Sequence, residues 1–265
     1  MSSSLVKLVR HANGVARVEL CRGAKLNALS VDMITSVIEH AQTLATDRSV
    51  KAVVLSGEGR AFCAGIDLSV LRDVASLSVL FRRTGPLGSP RANVVQSMPL
   101  AFRTVVPVPV ICALKGEVFG AGLQLALGAD LRFGQRGPDL QLSLMEARWG
   151  IIPDVAISET TRGLLRPDVL MHLGITGDKV GGDEALRLGL LTRLVDANVE
   201  DEAMAYATRL AENSNVDALR AFKRLLWEGI YPPRDASLLL EEKLQREIIS
   251  SPAFRAKMAA GPGSK

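Results

Sequence analysis

At 265 residues with 48% apolar side chains, the chain has room for one large domain, or a core domain with an appendage, and ample material for a buried core. The formal charge of +4 comes without a run of basic residues and aromatics make up only 4%, which excludes a nucleic-acid platform built on stacking. Cys21, Cys63 and Cys112 lie far apart with no CxxC pair, so neither a disulfide framework nor a zinc site is expected.

A reducing, cytoplasmic setting fits that cysteine usage. Met1 to Leu8 lacks the features of a signal peptide, and no apolar run approaches the ~18 residues of a membrane span. A soluble protein with no membrane insertion is expected.

In chain order, Val6 to Val9 and Val15 to Leu20 flank the turn His11-Ala12-Asn13-Gly14 and read as two strands. Ser30 reads as an N-cap, followed by Ile34, Val37, Ile38, Ala41, Leu44 and Ala45 on one helical face. Lys51 to Ser56 is a short buried strand; a polar glycine turn leads from it into Ala61 to Leu68. The same sequence of strand, glycine turn and helix start returns at Val110 to Gly128, which suggests a repeated ββα or βα layer. Between the two units, Asp73 to Gln96 carries the breaker cluster Thr84 to Pro90, either a flap over a pocket or a surface loop. Leu131 to Phe133 and Leu140 to Leu142 read as strands, Ser143 to Trp149 as a short helical piece ended by Gly150, and Val155 to about Leu165 as a helix. From about Asp196 the pattern is helical only: Glu200 to Glu212, Val216 to Glu228 and Asp235 to Ile249, with Pro232-Pro233 as a break. Val216, Leu219, Phe222 and Leu226 form a stripe for the core or a subunit contact. Gly261 to Lys265 is expected to be disordered.

The chemistry-bearing patterns are few. His11, His40 and His172 show no ligand spacing, so no metal is expected. No GxSxG elbow and no GxxxxGK[ST] loop occur, and Gly120-Ala121-Gly122 lacks the third glycine of a dinucleotide fingerprint. Arg72, Arg82, Arg83, Arg91 and Arg103 are scattered through one third of the chain, which fits a solvated surface better than an anionic small molecule. The strongest feature is Gly116 to Asp130: a glycine-rich entry into an apolar helix, whose first N–H groups are open to an oxyanion or phosphate.

Arg60 to Leu68 and Pro109 to Asp130 together resemble the crotonase (enoyl-CoA hydratase/isomerase) superfamily. Lys25-Leu26-Asn27-Ala28-Leu29, Glu146 to Pro153, Gly182 to Leu191 and Ala221 to Leu226 resemble further family segments, in the right order over about residues 5 to 230. The resemblance implies an α/β fold: a crotonase-like spiral of ββα repeats over 1–195 with the acyl-CoA site, and a C-terminal helical region, 196–265, that packs on the core and on neighbouring subunits. It implies a homotrimer or hexamer, an acyl-CoA thioester as substrate, and no cofactor beyond the coenzyme A carried on that substrate. It places two backbone N–H donors for an enolate-like oxygen on Ile66 and Ala121. By position Lys25, Asn27, Ala28, Ala64, Gly65, Asp67, Leu68 and Gly120 contact the substrate, and Lys223 reaches the CoA phosphates or is one more solvated lysine.

The chain departs from the hydratase pattern at one point. The family's two glutamates map onto Gln124 and Glu146, and an amide cannot take a proton from water at neutral pH. Asp154, just past Pro153, occupies a place similar to that of an acid in the dienoyl-CoA isomerases, although it also suits a helix N-cap. The expectation is therefore double-bond isomerisation of an enoyl- or dienoyl-CoA by Glu146 and Asp154. Hydration with Glu146 as acid and base and Gln124 placing the water is the alternative, and a non-catalytic acyl-CoA-binding protein is a third reading.

Overall fold

The computed structural model describes residues 4–83, 91–229, 235, 238–239, 242–243, 246, 249–250 and 252–260. The breaker cluster, Pro232-Pro233 and the C-terminal tail lie outside them. Its first sheet is built in the order β1-β2-β3-β4-β6-β9. β1 (Val6–Arg10) and β2 (Val15–Leu20) form the antiparallel hairpin, and β3 (Ala52–Gly57), β4 (Val110–Leu114), β6 (Leu131–Gln135) and β9 (Arg193–Val195) add in parallel. β3 and β4 are buried along their whole length, as strands covered on both faces must be.

A second, smaller sheet joins β5 (Glu117–Phe119), β7 (Gln141–Ser143) and β8 (Val180–Gly181). Isolated parallel bridges extend it: Cys63 pairs with Val118 and Leu29 with Ile66. Each pass of the chain thus lays a strand in the first sheet, an extended stretch in the second, and then a helix. This is the expected spiral of ββα turns.

Both faces of the first sheet are covered. Val18, Val53, Leu55 and Cys112 point into the large core shared with α1 (Val31–Thr46), while Val15, Ala52, Val54, Ile111 and Ala113 point to the other side. There Ala203, Ala207 and Ala211 of α9 (Val199–Asn213), one helical turn apart, let the helix lie close against the sheet. Ser30 caps α1, its hydroxyl accepting from Met33 N at 3.3 Å.

Three local expectations change. The stretch 73–96 is helical at both ends of its breaker cluster: Asp73 caps α3 (Val74–Leu80), and Asn93 with Gln96 forms a reciprocal capping box on α4 (Val94–Leu100). The helix expected over Val155 to Leu165 shrinks to α6 (Ile157–Thr160), because Ala156 takes the left-handed conformation at φ 55° and occupies the N-cap position in place of Asp154. In α10 (Val216–Gly229) the inward face carries Lys223 and Trp227, and Phe222 and Leu225 are left exposed. Among the described residues no helix is long and apolar enough to cross a membrane.

Candidate active site

The site forms where successive turns of the spiral meet. Cys63 N donates to Glu117 O at 3.1 Å and Phe119 N to Cys63 O at 3.0 Å, binding the 63–68 segment beside β5. Gly65, at φ 101°, and Gly120, at φ 50°, turn the two segments where they adjoin. An L side chain is disfavoured at both, and there is little room at Gly65: a Cβ there would stand 3.0 Å from Phe119 O and 3.7 Å from Ala121 N.

These turns leave two backbone donors open. Leu29 N bonds Gly65 O at 2.8 Å and Asp67 N bonds Leu29 O at 2.9 Å, so the bridge uses the groups on either side of Ile66 N and not that amide itself. Ala121 begins α5 (Ala121–Leu127), and its N–H therefore has no partner within the helix. Among the described residues neither amide is taken by a backbone acceptor. Both residues line one cavity of about 440 Å³.

Glu146 opens a short 3-10 turn, Glu146–Trp149, after β7, and Gly150 closes that turn in the left-handed conformation. β7 pairs in parallel with β5, and Gly120 N donates to Ser143 O at 2.9 Å, which brings Glu146 alongside Gly120. A Cβ on Gly120 would come within 3.0 Å of Glu146 Oε1. The carboxyl group is buried and makes no ion pair among the described residues, and burial pushes it up to about 7, against a smaller opposing effect of its own backbone N–H and of Gln124. A carboxyl poised near neutral pH can both take and return a proton.

Gln124, wholly buried in α5, does not form part of the cavity wall. Its Nε2 donates to Glu146 Oε1 at 2.7 Å and its Oε1 accepts from Val155 N at 2.8 Å. The residue expected to place a water in the pocket is engaged behind it, with the acid itself. Asp154 is buried and lines the same cavity as Glu146.

Of the other expected contacts, Lys25, Ala28, Ala64, Gly65, Asp67, Leu68 and Gly120 line the cavity. Asp67 caps α2 (Leu68–Arg72), accepts from Ser69 N and pairs with Arg22 at 2.6 Å, which together hold it down to about 2. Asn27 is a different case. It is fully buried, accepting from Arg22 N and donating to Glu58 O and Ala61 O, so it shapes the loop beneath the site instead of facing it.

Lys223, expected to reach the CoA phosphates or to be one more solvated lysine, does not line this cavity. Its ammonium is buried, pairs with Asp130 at 2.7 Å and donates to Phe102 O at 2.7 Å and Val108 O at 3.0 Å, which occupies all three of its donors. Burial pushes its pKa down, against the opposing pull of Asp130. The lysine ties α10 to the spiral.

Sequence reasoning missed much of the apolar wall. Leu77 and Leu80 of α3, Phe81 after it, Val95 of α4 and Ile249 from the C-terminal region all line the cavity. The i, i+3, i+4 spacing of Leu77, Leu80 and Phe81 was a helical signal, and Asn93-x-x-Gln96 a capping signal. The breaker cluster between them masked both.

Known proteins match this chain in sequence and in fold. The sequence model of the family described as enoyl-CoA hydratase/isomerase matches residues 10–260. A protein of Rhodobacter capsulatus named probable enoyl-CoA hydratase is 31% identical over 251 residues, covering 92% of this chain and 90% of its own length. An enoyl-CoA hydratase structure from Mycobacterium smegmatis superposes with a TM-score of 0.75 at 26% identity over 97% of this chain and 96% of that one. An enoyl-CoA hydratase/isomerase structure from Mycobacterium paratuberculosis gives 0.84 at 20% identity over 97% and 98%, a likeness of fold. With its spiral, its paired open amides and its buried glutamate, this chain belongs to the enoyl-CoA hydratase/isomerase family.

Proposed function

We propose that this protein is an enzyme that shifts a double bond in an unsaturated acyl-CoA thioester. The observation that carries the reading is that Glu146 lines the same cavity as the two open amides with an amide, Gln124, as its buried partner, while of the other two acids on the wall Asp67 is tied up by Arg22 and leaves Asp154 to work with Glu146.

The thioester carbonyl oxygen sits between Ile66 N–H and Ala121 N–H. Glu146 takes a proton from an acyl carbon; the C–H electron pair enters the conjugated system and negative charge collects on the thioester oxygen. Each preorganised amide contributes on the order of 3 kcal/mol at that charge. A proton is delivered at another carbon, either the same one from Glu146 or one from a protonated Asp154 that then regains a proton as Glu146 releases its own, and the electron pair forms the new C–H bond while the double bond moves. No water is consumed. The apolar side chains of α3 and α4 accept the acyl chain, and the coenzyme A is part of the substrate.

Hydration is the second reading, favoured by the names that the relatives carry. In this chain it would rest on Glu146 and Asp154, since Gln124 is engaged behind the wall. Incubation with a panel of enoyl- and dienoyl-CoA substrates in heavy water separates the readings. Double-bond migration with carbon-bound deuterium and no net hydroxyacyl product is expected. Accumulation of hydroxyacyl-CoA would replace isomerisation with hydration, and binding without exchange would identify a non-catalytic acyl-CoA binder. A trimeric assembly is also proposed, supported by the exposed Phe222 and Leu225 of α10, and sedimentation tests it.

A further inference from the structure

Gln124 is the one polar side chain of α5, and the direction of its amide is decided by its neighbours. Val155 N–H can only donate, so the group it meets at 2.8 Å must be the amide oxygen. The amide nitrogen then faces Glu146 Oε1 at 2.7 Å. That makes the two oxygens of Glu146 unlike. Oε1 is anchored, and it also lies against Gly120, whose added Cβ would approach it to 3.0 Å. Oε2 is buried and has no hydrogen-bond partner among the described residues.

We propose that Gln124 is a positioning residue acting through Glu146: it anchors Oε1 so that Oε2 exchanges the proton with substrate, and it ties that carboxyl to the backbone beside Asp154. The proposal rests on the proton-transfer reading above. One side-chain amide thereby links two successive turns of the spiral, since both of its partners, 22 and 31 residues away in the chain, lie in the turn that follows its own. Rotation of Glu146 about its last torsion would otherwise exchange the two oxygens. A donor on Oε1 also favours the ionised carboxyl, the form a base requires.

No other charged group substitutes for this contact among the described residues. Lys25, Asp67 and Asp154 share the cavity, and Asp67 is held by Arg22. Glu117 of β5 pairs with Arg60, and Arg148, on Glu146's own turn, reaches Asp178 at 3.5 Å. Lys179 lies over the Phe119 ring, and Arg255 of the Pro252–Ala260 helix, which packs on that turn, bonds Ser250 O. α5 carries no charge.

Gln124→Met and Gln124→Glu test the assignment through the pH profile of kcat/KM for the best acyl-CoA substrate. Loss of a hydrogen bond to a charged group should move the acid limb of the Gln124→Met profile up by about one to two pH units. kcat at neutral pH should fall about tenfold or more, with KM little changed. Gln124→Glu keeps an acceptor for Val155 N–H and nearly the same volume, and carries the test alone if the methionine variant does not fold. Two adjoining carboxyls share a proton, so its acid limb should broaden and move to higher pH. Wild-type limbs in the folded variant, with a rate loss uniform in pH, would overturn the positioning role. Glu146→Gln is the control that keeps the two claims apart. If it retains full turnover, the underlying reading fails; if it is inactive while the Gln124 variants keep the wild-type profile, only the positioning role fails.

Discussion

Replacing Glu146 with glutamine should weaken catalysis and strengthen the fold at once, by amounts that follow from one buried carboxyl. Burial raises Glu146 from an ordinary 4.5 to about 7, so ionising it in the folded state is unfavourable. For an acid raised on folding, the stabilising contribution is complete below the unfolded pKa and is lost as pH rises through the folded pKa. The window here runs from about 4.5 to about 7. At about 1.4 kcal/mol per pH unit, the full difference is about 3 kcal/mol above that window. Glu146→Gln carries no charge and can still accept from Gln124 through its own amide oxygen, so it escapes the penalty. Thermal unfolding should show the variant gaining stability over wild type at pH 8 and much less at pH 4.5. Turnover should fall by about 10²- to 10⁴-fold, the usual reach of a general base. In the wild type, kcat/KM should decline as pH falls through about 7, because the base must be ionised. A stability difference independent of pH, or a variant with wild-type turnover, would refute the account of this residue.

Further outcomes follow from the same geometry. Asp154→Asn should slow double-bond migration while leaving proton exchange at the substrate carbon served by Glu146, measured by comparing product formation with deuterium uptake. Lys223→Met leaves Asp130 without its buried cation, which should lower stability by about 3 kcal/mol or more in urea unfolding, with KM for acyl-CoA unchanged. Gly120→Ala places a methyl group 3.0 Å from Glu146 Oε1 at φ 50°, and should cost about 1–3 kcal/mol in thermal unfolding and disturb turnover together. Cys63, wholly buried with its thiol pushed by burial up to about 12, should resist alkylation in the folded protein at pH 8 and react only on unfolding, as read by mass spectrometry.

Much of this protein follows from local pattern. Strands β1 to β4, the capped helix α1 and the two glycine turns at Gly65 and Gly120 are written in short apolar runs, in a Ser30 cap and in small residues, all properties of a few consecutive side chains. The candidate donors Ile66 and Ala121 were placed by the family resemblance, which a change of side chain does not disturb, because a backbone N–H is available wherever a turn leaves it. The sequence also marked Gln124 and Glu146 as the place where this chain departs from a two-carboxylate pattern.

What the residues do there was a tertiary decision. Whether Gln124 faces a pocket or an acid depends on two partners in the next turn of the spiral. Lys223 has the look of a solvated or phosphate-binding lysine until α10 docks and its ammonium meets Asp130 and two carbonyls far back in the chain. The apolar wall of the cavity draws on α3 and α4, on either side of the breaker cluster, and on Ile249. The sequence alone determined the spiral, its turns and the identity of the candidate groups. The tertiary structure alone decided burial and pairing, and these set proton affinity and direction, because both depend on which distant groups replace water around a side chain.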